Sequence, residues 1–455
     1  MNKVAARAAA LLVFVLILTG GLIFFLGEYI AGAEDWVMFA GSPHVYSGNK
    51  LGTGILTDRD GELLTDLRDG RTYADDASLR RAMLHWTGDR LGNIHAPFMQ
   101  TYAAQLLGYD PVNGLYAYGD SCGTVELTLS AKAQKAALEA MGEKKGTVAV
   151  YNYKTGEILC AVTTPTYDPE DVPDIAGDTA GSYTGVYMNR FVQSRYIPGS
   201  IFKIVTLAAA LETNPGIEEL EFSCSGSYEI GGGDITCTGK HGKQTLKEAF
   251  RNSCNCAFAQ VAEHVGREKL ARYVGLMGVM DAVAFDGVTT AAGNFEVADA
   301  TPEQVGWSAI GQHKDLVNPC AYLSFIGAIA NEGILLTPRV VSTVSSAKEV
   351  TYEAQQTAGT RIMSGKTART LQDYMRFTVS YRYGEEHFGG LTLSGKTGTA
   401  EVGSEKEPNG TFTGFLSDPS CPLAFIAVIE ESEVGGWECF PVVTAALKAC
   451  IASFG

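Results

Sequence analysis

Pro198-Gly-Ser-Ile-Phe-Lys-Ile-Val-Thr-Leu-Ala-Ala-Ala-Leu-Glu212 is a short turn followed by a run that is helical in propensity and too apolar for a surface helix. Ser200 falls at the start of that helix, where free backbone N–H groups and the dipole favour a developing negative charge. Lys203 is three residues on, on the same helix face and within reach of the Ser200 hydroxyl. A serine hydroxyl is a poor nucleophile until a base takes its proton. A lysine can act as that base only when it is neutral, which burial or a nearby cation promotes. The plain alternative is a helix cap with a solvated lysine, and this stretch alone does not choose between the two.

Two later motifs supply the rest of a site. Ser253-Cys254-Asn255 lies in a helical region, 245–265, that is broken around Arg251-Asn252-Ser253. Ser253 offers a hydroxyl that can relay a proton, and Asn255 an amide that can donate to a substrate carbonyl and accept from a lysine. Lys396-Thr397-Gly398 sits in an extended segment, 391–402. A strand there presents Lys396 as a fixed positive charge and the hydroxyls of Thr397 and Thr399 as donors to a carboxylate. Gly398 lets a substrate backbone approach closely.

Each motif has copies, and context separates them. Ser-x-x-Lys recurs at Ser47–Lys50 and Ser345–Lys348, in polar surroundings with no apolar helix behind. Lys154-Thr155-Gly156 joins two segments rich in Val, Tyr and Ile, and reads as a hairpin turn with Gly156 at positive φ. Ser364-Gly365-Lys366-Thr367 opens a helix-like stretch. Gly390-Leu-Thr-Leu-Ser-Gly395-Lys396-Thr397 satisfies a phosphate-loop pattern letter for letter, but its interior reads as strand and no helical run follows.

The 455 residues are enough for two or three domains, and a 46% hydrophobic content marks a globular chain. A formal charge of −16 argues against nucleic acid as a partner. Residues 8–27 carry no charge and are long enough to span a bilayer. Lys3 and Arg7 before them, and Glu28, Glu34 and Asp35 after, place the N-terminus in the cytoplasm and the body outside. The competing reading is a signal peptide cut near Ala31-Gly32-Ala33, but the apolar stretch is long for that.

Ten cysteines outside the membrane allow disulfides. Cys224 and Cys237, flanking Gly- and Ser-rich sequence before the second motif, are the best pair, with Cys421 and Cys439 a weaker one. Cys160 and Cys450 read as buried thiols, and Cys254 and Cys256 as unsuited to bridging each other. The seven histidines are scattered, no Cys/His cluster shows metal-ligand spacing, and neither metal nor cofactor is expected.

A helix is expected at 131–141, capped by Ser130 and ended by Gly142. Strand-like segments fall at 146–153, 157–163, 391–402, 411–416 and 423–430, with another around 333–341. Helices are expected from 200 to 332, and a closing one at 441–454. The loop 165–198 is long enough to suggest that it serves a site. Two strands early and three late, with helices between, predict one antiparallel sheet covered by helices.

Ser-x-x-Lys, Ser-x-Asn and Lys-Thr-Gly in that order are the signature of penicillin-binding proteins and serine β-lactamases. Several further segments fit one branch: Gly52-Thr-Gly-Ile-Leu-Thr-Asp-Arg-Asp-Gly61, Lys154-Thr-Gly-Glu-Ile-Leu159, Thr166-Tyr-Asp-Pro169, Gly311-Gln312, Ala330-Asn-Glu-Gly333 and Ser394-Gly-Lys-Thr-Gly-Thr-Ala-Glu401. The chain thus resembles a class B penicillin-binding protein, a membrane-anchored peptidoglycan D,D-transpeptidase. The resemblance implies an α+β fold: a five-stranded antiparallel sheet covered by helices, an all-helical subdomain, a small N-terminal pedestal and one transmembrane helix. It divides the chain into a cytoplasmic tail (1–7), an anchor (8–27), a pedestal (28–127) and a transpeptidase domain (128–455).

The same resemblance implies roles. Ser200 would be the nucleophile and Lys203 its base. Ser253 would be the proton relay to the leaving D-alanine, and Asn255 would hold the substrate amide. Lys396 would keep the site electropositive, with Thr397, Gly398 and Thr399 binding the terminal carboxylate. The N–H groups of Ser200 and Thr399 would form an oxyanion hole. The implied partners are stem peptides of nascent glycan derived from lipid II, β-lactams as inhibitors, the membrane, and a SEDS-family glycan polymerase. About a hundred residues between anchor and transpeptidase region are too few for a glycosyltransferase domain. The family's Trp-Phe pair after the third motif is missing from Gly410-Thr-Phe-Thr-Gly414. A D,D-carboxypeptidase, a β-lactam-hydrolysing or -sensing relative and a non-catalytic wall-synthesis scaffold are the competing readings.

Overall fold

The computed structural model describes residues 2–37, 46–47, 50–51, 54–67, 71–96, 98, 101–102, 123–345, 350–355, 358–403 and 406–453. Helix Asn2–Val37 contains the apolar stretch and has a segment, Lys3–Gly32, long and apolar enough to cross a membrane, with none of it buried against the rest of the chain.

The central sheet has five antiparallel strands in the order Leu393–Ala400, Asn409–Leu416, Leu423–Ile429, Gly146–Asn152, Ile158–Thr164. These are the five main segments read from the sequence. Four of them are buried along their whole length, because helices cover both faces. Ala131–Met141 and Cys439–Ala452 lie on one face and Pro319–Ala330 on the other. Ser130 caps the first helix by accepting from Ala133 N–H, and Gly142 ends it. Phe412, Phe425 and Phe440 interleave between sheet and C-terminal helix, with ring centroids 4.7 to 4.9 Å apart. Truncating one such phenylalanine to alanine costs ~3–5 kcal/mol.

The Lys154-Thr155-Gly156 copy is a hairpin turn: Asn152 Oδ1 accepts from the N–H groups of Lys154 and Thr155, and Gly156 has φ +85°. Gly390–Thr397 runs into strand Leu393–Ala400, and the next described element is strand Asn409–Leu416, not a helix. A phosphate loop is therefore excluded there. Ser364 caps helix Gly365–Thr378. Of the other Ser-x-x-Lys copies, Ser47 and Lys50 pair in a short hairpin, while residues 48–49 and 346–349 lie outside the described residues.

The helical layer packs Lys203–Thr213 against Asn255–Val265, Arg267–Leu276 and Gly365–Thr378. The expectation of helices throughout 200–332 needs correcting. Three small antiparallel pairs interrupt it among the described residues: Glu221–Cys224 with Gly242–Thr245, Ser227–Ile230 with Gly233–Thr236, and the two-residue Ala284–Phe285 with Val288–Thr289. In the first two pairs Gly226, Gly231, Gly232 and Gly242 all take positive φ, a conformation that ends helices.

A second, six-stranded sheet runs Val350–Glu353, Val341–Ser345, Gly123–Leu127, Gly54–Thr57, Leu63–Asp66, Thr72–Tyr73. The strand anticipated around 333–341 thus falls later, at Val341–Ser345, with only Ile334–Leu335 extended before it. Loop 165–198 is tied down by Arg190, whose guanidinium pairs with Glu430 on a buried face.

Candidate active site

Helix Lys203–Thr213 is entered through a 3-10 turn, Gly199–Phe202, that carries Ser200. The turn lies hard against the third-motif strand. Gly199 has φ +56°, its N–H donates to Gly311 O at 2.8 Å, and a Cβ on it would sit 2.5 Å from Thr399 O. A Cβ on Gly398 would come within 2.9 Å of Pro198 O. Glycine at both places lets two backbones touch.

Lys203 is wholly buried, and its Nζ is 2.8 Å from Ser200 Oγ, 2.7 Å from Asn255 Oδ1, 3.0 Å from Ser253 O and 3.2 Å from Ser253 Oγ. Ser253 sits in the break between helices Leu246–Arg251 and Asn255–Val265, at φ +54°. A non-glycine residue there costs about 1 kcal/mol or more, which its surroundings must offset. Its Oγ is also 3.0 Å from Lys396 Nζ, so one hydroxyl bridges two lysines. Lys396 Nζ donates in addition to Thr397 O at 2.8 Å. Asn255 Nδ2 donates to Thr236 O at 2.9 Å, fixing which amide atom faces Lys203.

Burial pulls the Lys203 ammonium down to about 7. Lys396 is driven well below the usual lysine range by burial first, then by the charges of Lys203 and Arg382. A neutral Lys203 has a lone pair within hydrogen-bond distance of Ser200 Oγ, the geometry that serine activation requires.

All eight residues anticipated from the sequence meet here. Ser200, Ser253, Asn255, Thr397 and Thr399 line one cavity of about 420 Å³, Lys203 and Lys396 lie buried beneath it, and Gly398 sits between the two threonines. Gln312 is on the wall as well. Loop 165–198 is not; it lines a separate cavity of about 560 Å³ through Tyr183, Tyr187 and Met188.

Three residues on or behind the wall carried no sequence signal. Arg382 and Tyr383 come from a π-helical turn, Val379–Tyr383, after helix Gly365–Thr378. Trp437 comes from the 3-10 turn Gly435–Glu438, edge-on to Tyr383 with centroids 5.6 Å apart. An aromatic face thus stands at the cavity although the strand lacks the Trp-Phe pair.

The two disulfide expectations fail. Cys224, Cys237, Cys421 and Cys439 are all free thiols. The hairpin between Cys224 and Cys237 folds back, so Cys237 lies beside Cys254 and His241 as well as near Cys224. The spacing of these residues in the sequence shows no metal-ligand pattern, but in the fold Cys224, Cys237, His241 and Cys254 come together. Cys160 and Cys450 are buried as expected, and burial pushes the Cys160 thiol up.

A serine over a buried lysine, a second serine bridging two lysines, and a lysine–threonine strand at the edge of a five-stranded sheet define a serine acyl-transfer site of the Ser-x-x-Lys type. The family model "Penicillin binding protein transpeptidase domain" matches residues 146–441. The chain belongs to that family, in its class B branch. It is 31% identical over 336 residues to stage V sporulation protein D of Bacillus subtilis, covering 70% of this chain and 51% of that protein. It is 27% identical over 363 residues to peptidoglycan D,D-transpeptidase PbpA of Mycolicibacterium smegmatis, 72% of each. The chain therefore spans about half of the first relative and nearly three quarters of the second. The D,D-transpeptidase domain of a peptidoglycan glycosyltransferase from Eggerthella lenta superposes with a TM-score of 0.76 at 26% identity, over 89% of this chain and 99% of that one. Penicillin-binding protein A of M. tuberculosis has the same fold, with a TM-score of 0.74 at 23% identity, over 89% and 99%.

Proposed function

We propose that this chain is a peptidoglycan D,D-transpeptidase working through an acyl-serine. The observation that carries the reading is Ser200 Oγ at 2.8 Å from the Nζ of a fully buried Lys203, with Ser253 and Asn255 on the same amine. Lys203 takes the Ser200 proton as Oγ attacks the penultimate D-alanyl carbonyl. Ser253, held between the two lysines, passes a proton to the departing D-alanine. Asn255 orients Lys203 and receives the substrate amide. Lys396, Thr397 and Thr399, with Gly398 giving clearance, take the terminal carboxylate. Backbone N–H groups of Ser200 and Thr399 stabilise the oxyanion; one such donor is worth about 3 kcal/mol. An amine of a neighbouring stem peptide then accepts the acyl group and closes the cross-link, and β-lactams acylate the same serine.

The helix Asn2–Val37 anchors the chain with its catalytic part outside, in line with Lys3 and Arg7 on one flank and acidic residues on the other. The division at 28–127 and 128–455 into pedestal and transpeptidase parts, and a SEDS-family polymerase supplying the glycan, belong to the same proposal. The test is the intact mass of the full chain in detergent after benzylpenicillin, beside Ser200→Ala. A penicillin-sized adduct on wild type alone supports the reading, and a thioester stem-peptide mimic with a D-amino acid acceptor separates transfer from hydrolysis. Drug turnover without a lasting adduct, or hydrolysis without transfer, would overturn it.

A further inference from the structure

Beside the second motif, four metal-ligating side chains converge from four separate places in the sequence. Cys224 ends strand Glu221–Cys224 and pairs across with Gly242, which brings His241 alongside. Cys237 follows strand Gly233–Thr236, and its N–H donates to Gly226 O at 2.9 Å. Cys254 is the N-cap of helix Asn255–Val265. The three sulfurs and one imidazole nitrogen all lie within 4.8 Å of one another.

The two separations made by Cys237 match one coordination chemistry. With Zn–S of about 2.3 Å and Zn–N of about 2.0 Å, a tetrahedral site has S···S edges of about 3.8 Å and S···N edges of about 3.5 Å. Cys237 Sγ is 3.9 Å from Cys254 Sγ and 3.5 Å from His241 Nδ1. A disulfide needs its sulfurs about 2.05 Å apart, so the cysteine pair stands at a coordination edge and not at a bond.

We propose that Cys224, Cys237, His241 and Cys254 bind a tetrahedral zinc(II) ion that fixes the position of the second motif. Four protein ligands leave no open coordination position, and Cys224 and Cys254 are buried, both features of structural sites and not of catalytic ones. On binding, the three thiols release their protons to solvent, leaving three thiolates and a neutral imidazole on a dication, a site with net charge of −1. The Cys254 sulfur accepts from Ala257 N–H at 3.4 Å, so the ligand atom is held in place by the start of helix Asn255–Val265.

The consequence lies in the chain on either side of the ligands. Cys254 separates Ser253 from Asn255. Asn255 is also held by Thr236 O, the residue before Cys237. The ion would therefore clamp both ends of the Thr236–Asn255 hydrogen bond, and with it the amide oxygen that faces Lys203. The zinc ligands position the catalytic groups and do not touch substrate through the metal.

The experiment uses the full chain in detergent, purified anaerobically without chelator. Elemental analysis should find stoichiometric zinc, and exchange with cobalt(II) should give the visible bands of a tetrahedral thiolate site. Cys224→Ser and His241→Ala should each lose the zinc, and Cys421→Ser, remote from the cluster, should keep it. Stripping the metal should slow acylation by a fluorescent penicillin about tenfold, with recovery on adding zinc but not magnesium. A folded chain that takes up neither zinc nor cobalt while its thiols remain titratable would overturn the proposal. So would a Cys237–Cys254 disulfide in protein as isolated. Metal content and the cobalt spectrum need no catalysis, so failure of the transpeptidase reading would leave this test intact.

Discussion

The Tyr383 hydroxyl meets Thr397 twice, accepting from its backbone N–H at 2.9 Å and sharing a hydrogen bond with its Oγ1 at 2.8 Å. Tyr383 is buried, and burial pushes its phenol up, so the hydroxyl stays protonated. The third-motif strand is thus held from behind by a residue that no motif contains. Tyr383→Phe would leave the Thr397 N–H without this partner, at a cost of about 1–3 kcal/mol. Penicillin acylation should fall roughly ten- to a hundredfold, with a lower Tm. An unchanged acylation rate would remove Tyr383 from the site's support.

The depressed Lys203 pKa gives a pH profile with a definite sign. The amine is neutral above about 7, so the acylation rate should climb through that pH and level off above it. Lys203→Arg, which cannot deprotonate, should be inactive at every pH. Stability carries the same sign. The unfolded lysine holds its proton up to about 10.4 and the folded one only to about 7, so the unfolded state binds more protons between those values and stability rises with pH there. A flat acylation rate from pH 6 to 9 would contradict a neutral Lys203 base.

Gly199→Ala introduces both a Cβ 2.5 Å from Thr399 O and an unfavourable φ of +56°. The backbone must move, at an expected cost of about 2 kcal/mol or more. Acylation should drop more steeply than stability, because the displaced backbone carries Ser200. Equal Tm and equal acylation in the variant would show that the turn tolerates a side chain there.

Arg190 and Glu430 tie loop 165–198 to the end of sheet strand Leu423–Ile429, with Tyr196 OH also donating to Glu430 at 2.8 Å. Burial works to raise the Glu430 carboxyl, but the Arg190 hydrogen bond and charge outweigh it and hold it low. The stability this pair confers is present above the ordinary carboxyl range and is lost as pH falls through the depressed value. Arg190→Met should cost about 1–3 kcal/mol by stranding a half-buried carboxylate, and should flatten the acid limb of the stability curve. Thermal unfolding of both proteins between pH 3 and 7 reads this directly, and parallel curves would count against the pair.

The core of the fold could be read because its elements are locally regular. Ala131–Met141 matches its expected limits from Ser130 to Gly142; Gly146–Asn152, Ile158–Thr164 and Leu423–Ile429 match because they are largely apolar, β-branched or aromatic runs between turns, and Leu393–Ala400 and Asn409–Leu416 because Gly and Thr in extended segments flank the third motif. The eight site residues were legible because acyl transfer fixes side-chain identity at short spacing. What escaped was non-local or irregular. Arg382 and Tyr383 reach the site through a π-helical turn that has no sequence periodicity of its own. Cys224, Cys237, His241 and Cys254 are spread over thirty residues and meet only after two small hairpins fold back, so spacing in the chain conceals closeness in space. The strand Val341–Ser345 was misplaced because its inner partner, Gly123–Leu127, is more than two hundred residues away.

That last pairing has a consequence for how the molecule can be taken apart. Strand Gly123–Leu127 lies between Val341–Ser345 and Gly54–Thr57, so the chain after residue 128 lends two strands to a sheet begun before it. A chain cut at 128 would strip Val341–Ser345 of its inner neighbour, baring a ladder edge and the fully buried Val341 and Val344. Bare apolar edges recruit other chains. The severed C-terminal piece should therefore self-associate, whereas a chain cut just ahead of Gly54 should stay monomeric in sedimentation. The two sides of residue 128 are woven into one sheet, and a pull on the first is felt in the second.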